Sequence, residues 1–358
     1  CFDAIWNLGD ARGKVAECHA ARGMVDAAAA SRAAAFSAFE TAVARADSSA
    51  GDDLGGVVYD WGCVLVAHAQ TELERARTVV TQWRSRDGAS ACSPDAAWST
   101  ARRDLFETAV ASAFANVATA LDAAEAKLAR AAEFSPGDVA PLVAKGEALQ
   151  TRAETARRRR EFDVFVGAGN FHPKPFVSDG SQSQSQGLGS GGTGSQSEME
   201  ALVAPLRLAA DAAGGAFGAA TRVDATHFDA LVGLAECRVE IGKTFAGSNA
   251  GSAFPDGSGT LRALDEFRAG WLLYRRALEL AGAGGAGNGA HVSGSDPGSA
   301  RDRLNVAYAA ACAAHLAGES ETCGEILANV LRCGGCAPAT IAADEDLVGL
   351  RPGLWGGG

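Results

Sequence analysis

Cys333 and Cys336 enclose the tetrapeptide CGGC, a spacing that suits half a zinc site or a redox pair. Zinc takes two further ligands, and neither a second Cys-x-x-Cys nor a histidine pair stands at the usual spacing. Cys312 and Cys323 are near in sequence, but they fall in stretches that read as core-facing helix. No βαβ setting of the thioredoxin kind surrounds the pair. The reading is a helix-terminating Gly-Gly turn flanked by two thiols, with a thiol-redox or metal-binding factor as the alternative. Cys18 and His19 are sequence neighbours, which is not how a catalytic pair is supplied, and the other histidines are isolated. The run Arg157 to Arg160 could meet an import receptor, an acidic lipid head or a phosphate. The preferred reading is a solvated helix end, where positive charge complements the dipole, with contact to an acidic partner as the alternative. Glycine-rich stretches lack a Gly-Lys-Ser/Thr ending, and GAGNFH at 167–172 lacks the third glycine of a dinucleotide fingerprint. The acidic neighbours Asp52 with Asp53, and Asp344, Glu345 and Asp346, read as solvated loop and cap residues. No cofactor or metal is expected, and nothing in this inventory reads as an enzyme.

The elements that carry these residues are helical. Apolar positions recur at three and four residues over most of the chain, and β-branched runs are short. Alanine dominates the hydrophobic fraction, which favours close helix packing over a large aliphatic core. The net charge of −11 over 358 residues argues against a nucleic-acid surface, since phosphate binding needs a basic footprint. Nine scattered cysteines, several in helix-core stretches, suit reduced thiols in an intracellular compartment. No apolar run reaches the roughly 18 to 20 residues of a membrane span. The chain opens on Cys1 rather than on methionine, as a fragment or processed product would. Gly/Ser/Gln-rich segments at 178–198, 246–260 and 281–299 read as flexible insertions, whereas 96–132 keeps helical periodicity throughout.

A first helix type recurs with a small residue at one position: Gly9, Gly62, Gly146, Ala235 and Ala311. A second type carries its marker late: Ala42, Ala131, Ala220, Ala277 and Val330. The step from Ala131 to Gly146, like that from Ala220 to Ala235, is 15 residues, and that from Ala311 to Val330 is 19. Together they make 34, the period of the tetratricopeptide repeat. Leu8-Gly9 and Trp61-Gly62 stand where that repeat has Leu-Gly. Ala35 with Phe39, Ala124 with Leu128 and Ala213 with Phe217 match its Ala-x3-Phe, and Pro136 its terminal proline. The chain thus resembles a tetratricopeptide-repeat protein: an all-α solenoid of about five helix pairs, at 3–47, 57–136, 139–225, 228–282 and 304–333, with long insertions inside several pairs. Repeats four and five depart from the pattern, with alanine for glycine, and Cys323 and Leu327 replace Ala and Phe in the fifth. Residues 338–358 read as cap and tail, with Leu347, Leu350 and Trp355 covering the last pair.

The resemblance implies a binding scaffold whose successive first helices line a groove that holds a partner's peptide or helix. Carried over by position, the groove residues are Trp6 and Asp10, Tyr59 and Cys63, Val143 and Glu147, Val232 and Glu236, and Tyr308 and His315. Arrays that clamp a chaperone's C-terminal carboxylate use Lys, Asn and Arg donors; the matching positions here are Trp6, Asp10, Asp60, Ala140 and Ala144, so no such clamp is expected. The composition and the acidic tail also resemble chloroplast repeat proteins of the green lineage.

Overall fold

The computed structural model describes residues 2–46, 53–90, 100–167, 194–249, 258–283 and 300–350. Helix makes up 90% of these, and no strand occurs among them. In chain order the helices are α1 (Phe2–Ala21), α2 (Val25–Ala46), α3 (Leu54–Ser90), α4 (Thr100–Phe134), α5 (Ala140–Gly167), α6 (Gly194–Val223), α7 (Phe228–Asn249), α8 (Ser258–Ala283), α9 (Ala300–Leu316), α10 (Ser320–Arg332) and α11 (Pro338–Ala343), followed by a 3-10 turn at Glu345–Leu347. They pack in adjacent pairs.

Periodicity sets what each helix buries. Along α4, Val110, Phe114, Val117, Leu121, Ala124, Leu128 and Ala131 follow one another at three or four residues, and every one is buried. Glycines in the left-handed region end several helices. Gly23 (φ +71°), Gly318 (φ +89°) and Gly334 (φ +72°) follow α1, α9 and α10. At each, paired amides cap the last carbonyls: Gly318 N–H donates to His315 O at 2.9 Å, and Glu319 N–H to Ala314 O at 2.8 Å. This is the Schellman arrangement. The links from α4 to α5 and from α6 to α7 share another plan. Asp138 Oδ1 accepts from Ala140 N–H at 3.0 Å, and Asp224 Oδ1 from Thr226 N–H at 2.8 Å, so a carboxylate covers a free amide at the turn.

The insertions are shorter than their composition suggested. Residues 194–198 belong to α6, 246–249 to α7, and 258–260 and 281–283 to α8; the remainder of those segments, with Trp355, Asp52 and 168–172 of GAGNFH, lies outside the described residues. Once a packed interior has nucleated a helix, each added residue at its end gains a hydrogen bond at little cost, even where Gly and Ser are poor helix formers.

Two compact units divide the chain: Cys1–Lys127 with Thr151–Leu206, and Leu128–Gln150 with Arg207–Gly358. In the first, α1, α2 and α3 pack on one another. A Cβ built on Gly9 would meet the Phe39 ring at 2.7 Å, and one on Gly13 would meet Val64 at 2.6 Å. Phe39 stacks on Trp61, and Lys127 Nζ lies over that indole 3.5 Å from its centroid. Farther along, Ala76, Phe106, Val110, Phe114 and Phe162 form a separate cluster. In the second unit, Phe217 stands between two glycines. A Cβ on Gly146 would reach its ring at 2.6 Å and one on Gly233 at 2.4 Å. Ala235, Ala277, Ala311 and Val330 are wholly buried, as are Ala42, Ala131 and Ala220. Gly62 is buried on α3, and Pro136 is exposed in the turn after α4.

Candidate functional site

The first helices of the pairs carry the residues expected to face a partner. In the first unit, Trp6 Nε1 donates to Asp60 Oδ2 at 2.7 Å and its ring lies against Gly56, so α1 and α3 lock together through the indole. Asp10 is ion-paired with Lys14 at 2.7 Å, and Tyr59 and Cys63 are half-buried on α3. Burial, opposed by the Trp6 hydrogen bond, raises the Asp60 carboxyl above its ordinary range. The arginines at 157–160 sit inside α5 rather than at its end. Arg157 and Arg158 pair with Glu154, Arg158 also with Glu161 at 3.0 Å, and Arg159 with Asp163 at 3.9 Å. The i,i+3 and i,i+4 spacing that serves helix formation accounts for these contacts.

In the second unit the expected residues divide. Val143 is buried among Ala213, Phe217 and Ala220, so it belongs to the core, because the α5 face it occupies is the one α6 covers. Val232 packs half-buried on the adjoining cluster. Glu147 on α5 and Glu236 on α7 stay accessible enough to bind. Gln150 Nε2 donates to Glu236 Oε2, joining the two helices. Burial, then the charges of Asp229 and Glu236, raise the pKa of Glu147. Burial raises that of Glu236 as well, with the Gln150 bond opposing and Glu240 adding to it. Burial thus disfavours both carboxylates, and at Glu236 only the Gln150 bond works the other way.

At the other end of α7 the charge changes sign. Lys243 Nζ lies 2.7 Å from Asp346 Oδ2 and 3.4 Å from Glu240 Oε1. Burial works against its charge, but those partners outweigh it and hold the ammonium pKa above normal. Tyr308 Oη donates to Asp344 Oδ2 at 2.6 Å, and His315 Nε2 lies 3.1 Å from Val348 O. Tyr308 and His315, expected on an open groove, are thus covered by residues 344–348. Of the acidic triplet at 344–346, Glu345 is exposed, as expected, whereas Asp344 and Asp346 are not solvated surface. Asp344 and Asp346 are half-buried and Leu347 is 5% exposed, because an ammonium, a phenol and an apolar recess wait for them on α7 and α9. Sequence spacing could not reveal that fit, since Lys243 and Asp346 are 103 residues apart. Leu350 is half-buried beside Leu347.

The thiols are free at Cys18, Cys63, Cys237, Cys312, Cys323, Cys333 and Cys336. CGGC forms the turn that ends α10, with Gly334 N–H on Leu331 O and Gly335 N–H on Val330 O. Burial pushes the Cys336 thiol up, Cys323 to about 11 and Cys237 to about 12, away from the thiolate that redox chemistry uses. Among the described residues, Cys312, Asp344 and Asp346 could bring donor atoms within 4.8 Å of one another. Tyr308 and Lys243 already satisfy both carboxylates. Among the described residues no helix is long and apolar enough to cross a membrane. No family model matches the chain, and no curated protein is similar enough to count as a relative.

Proposed function

We propose that this protein is a non-enzymatic binding scaffold, a tetratricopeptide-like α-solenoid whose first helices take an extended or helical segment of a partner protein. The observation that carries this reading is the pair Glu147 and Glu236. On neighbouring helices, desolvation and the charges of Asp229 and Glu236 raise the pKa of Glu147, and desolvation and the charge of Glu240 raise that of Glu236, at a cost to the free protein that a cationic ligand would relieve. A basic partner segment laid across α5 and α7 supplies that charge, and the −11 net charge draws it in. The raised thiol of Cys336 favours this reading over a thiol-redox factor. The free thiols accord with a reducing compartment, and the resemblance extends the proposal to the chloroplast.

The test is partner capture on the immobilised chain, with mass-spectrometric identification, repeated with the Glu147→Lys/Glu236→Lys variant. The expected result is a partner retained by the parent and lost by a variant with an unchanged helical spectrum. Equal capture by both would remove the α5–α7 face from consideration.

A further inference from the structure

Residues 344–350 lie on the face that α7 and α9 present, and their attachment is that of a bound peptide. Their backbone hydrogen bonds are local: Leu347 N–H donates to Asp344 O and Leu350 N–H to Leu347 O. Gly349, at φ +87°, turns the chain. What ties the segment to the helices is a set of side-chain contacts with alternating chemistry. Asp344 takes the phenol of Tyr308 at 2.6 Å, Asp346 takes the ammonium of Lys243 at 2.7 Å, and the Val348 carbonyl lies 3.1 Å from the imidazole of His315. A single large apolar side chain, Leu347, is buried between these polar points, while Val348 beside it is 76% exposed. One apolar anchor within a polar rim is the anatomy of a peptide interface.

We propose that the Lys243–Tyr308–His315 surface is a receptor for an acidic Asp-x-Asp-Leu segment, and that residues 344–350 occupy it in cis as a displaceable plug. The occupant it fits in trans is a partner segment of the same chemistry: two carboxylates two residues apart, followed by a leucine. Charge complementarity at Lys243, the lone ammonium bonded to the segment among the described residues, selects for acid over base. Occupancy in cis lowers the apparent affinity for any outside segment by the fraction of time the surface is open, so loosening the plug tightens binding. The regulatory meaning of the plug rests on the scaffold reading; the existence of the receptor does not.

The experiment uses the full chain and a fluorescein-labelled DEDLVGL peptide, read by polarisation, with hydrogen exchange of residues 344–350 measured in parallel. In the Asp344→Asn/Asp346→Asn variant the receptor is intact and the plug is weakened. It is expected to bind the peptide about tenfold more tightly than the parent, with faster exchange at 344–350 and unchanged protection of α9 and α10. Adding Lys243→Glu to that background should abolish binding. Leu347→Ala, which removes the apolar anchor without changing charge, provides an independent release and should also strengthen peptide binding. Equal peptide affinity in parent and released variants overturns the proposal. So does exchange that rises across α9 and α10 together with the tail, which marks a structural cap. Peptide binding without any captured partner would defeat the scaffold reading alone; a captured partner with no effect of release would defeat the plug alone.

Discussion

At the scale of single residues, a ring between two hydrogens does much of the packing. Phe217 is 1% exposed and meets the Cα hydrogens of Gly146 and Gly233 on two different helices. Gly146→Ala is therefore expected to cost roughly 1–3 kcal/mol by overpacking, and Phe217→Ala about 3–5 kcal/mol. Urea denaturation of the double variant should show the Gly146 penalty gone, since the methyl then enters the space the ring vacated; additive costs would place the strain elsewhere. Charge behaves differently at Glu147 and Glu236. Their folded pKa values lie above the ordinary 4.5, so the folded chain holds more protons than the unfolded one between that value and the raised ones. Stability then falls as pH rises through this window and stays lower above it. Glu147→Gln and Glu236→Gln are each expected to raise the melting temperature at neutral pH and to flatten its dependence on pH above 4.5. Melting curves equal to the parent's at neutral pH would show that the carboxylates carry no such penalty.

At the scale of elements, the helix-terminating turn read at CGGC is where α10 ends. Gly334 stops that helix by taking a positive φ, and Gly23 and Gly318 stop α1 and α9 in the same way. Nothing stands within 4 Å of a Cβ built on Gly318, so Gly318→Ala tests backbone strain alone. It is expected to cost about 1–2 kcal/mol, read as a lower urea midpoint with an unchanged slope. Helix ends were less legible where the sequence is Gly- and Ser-rich. Residues 194–198 look like linker and nevertheless begin α6, because composition reports what a segment prefers alone, whereas a helix already formed farther along the chain extends at little cost per residue. The arginine run was ambiguous for a related reason. Its partners Glu154, Glu161 and Asp163 are on the same helix, but they count as partners only once the helix is known to continue past them.

At the scale of the whole molecule, the chain divides into two compact units that α4, α5 and α6 each pass through. The helices pack on their chain neighbours, α1 with α2 and α3 in the first unit and α7 to α10 in sequence in the second, so local opening can be followed unit by unit. Phe39→Ala, a loss of about 3–5 kcal/mol in core packing, is expected to speed amide exchange across α1, α2 and α3 while α9 and α10 keep their protection. Uniform acceleration along the chain would show instead that the molecule opens as one.

What the amino-acid sequence determined by itself is the periodic part: helices, and the small residues that let them approach. These follow from spacings of three, four and 15 residues, which a linear reading can count. Tertiary structure alone decided which side chains remain available. Val143 went to the core, Glu147 was set within reach of the Glu236 charge, and Tyr308, His315 and Lys243 were claimed by a tail whose acids had read as solvated surface. The physical reason is that such matches depend on charge and shape between residues 33 to 103 positions apart, where no local preference records them and only packing brings the partners together.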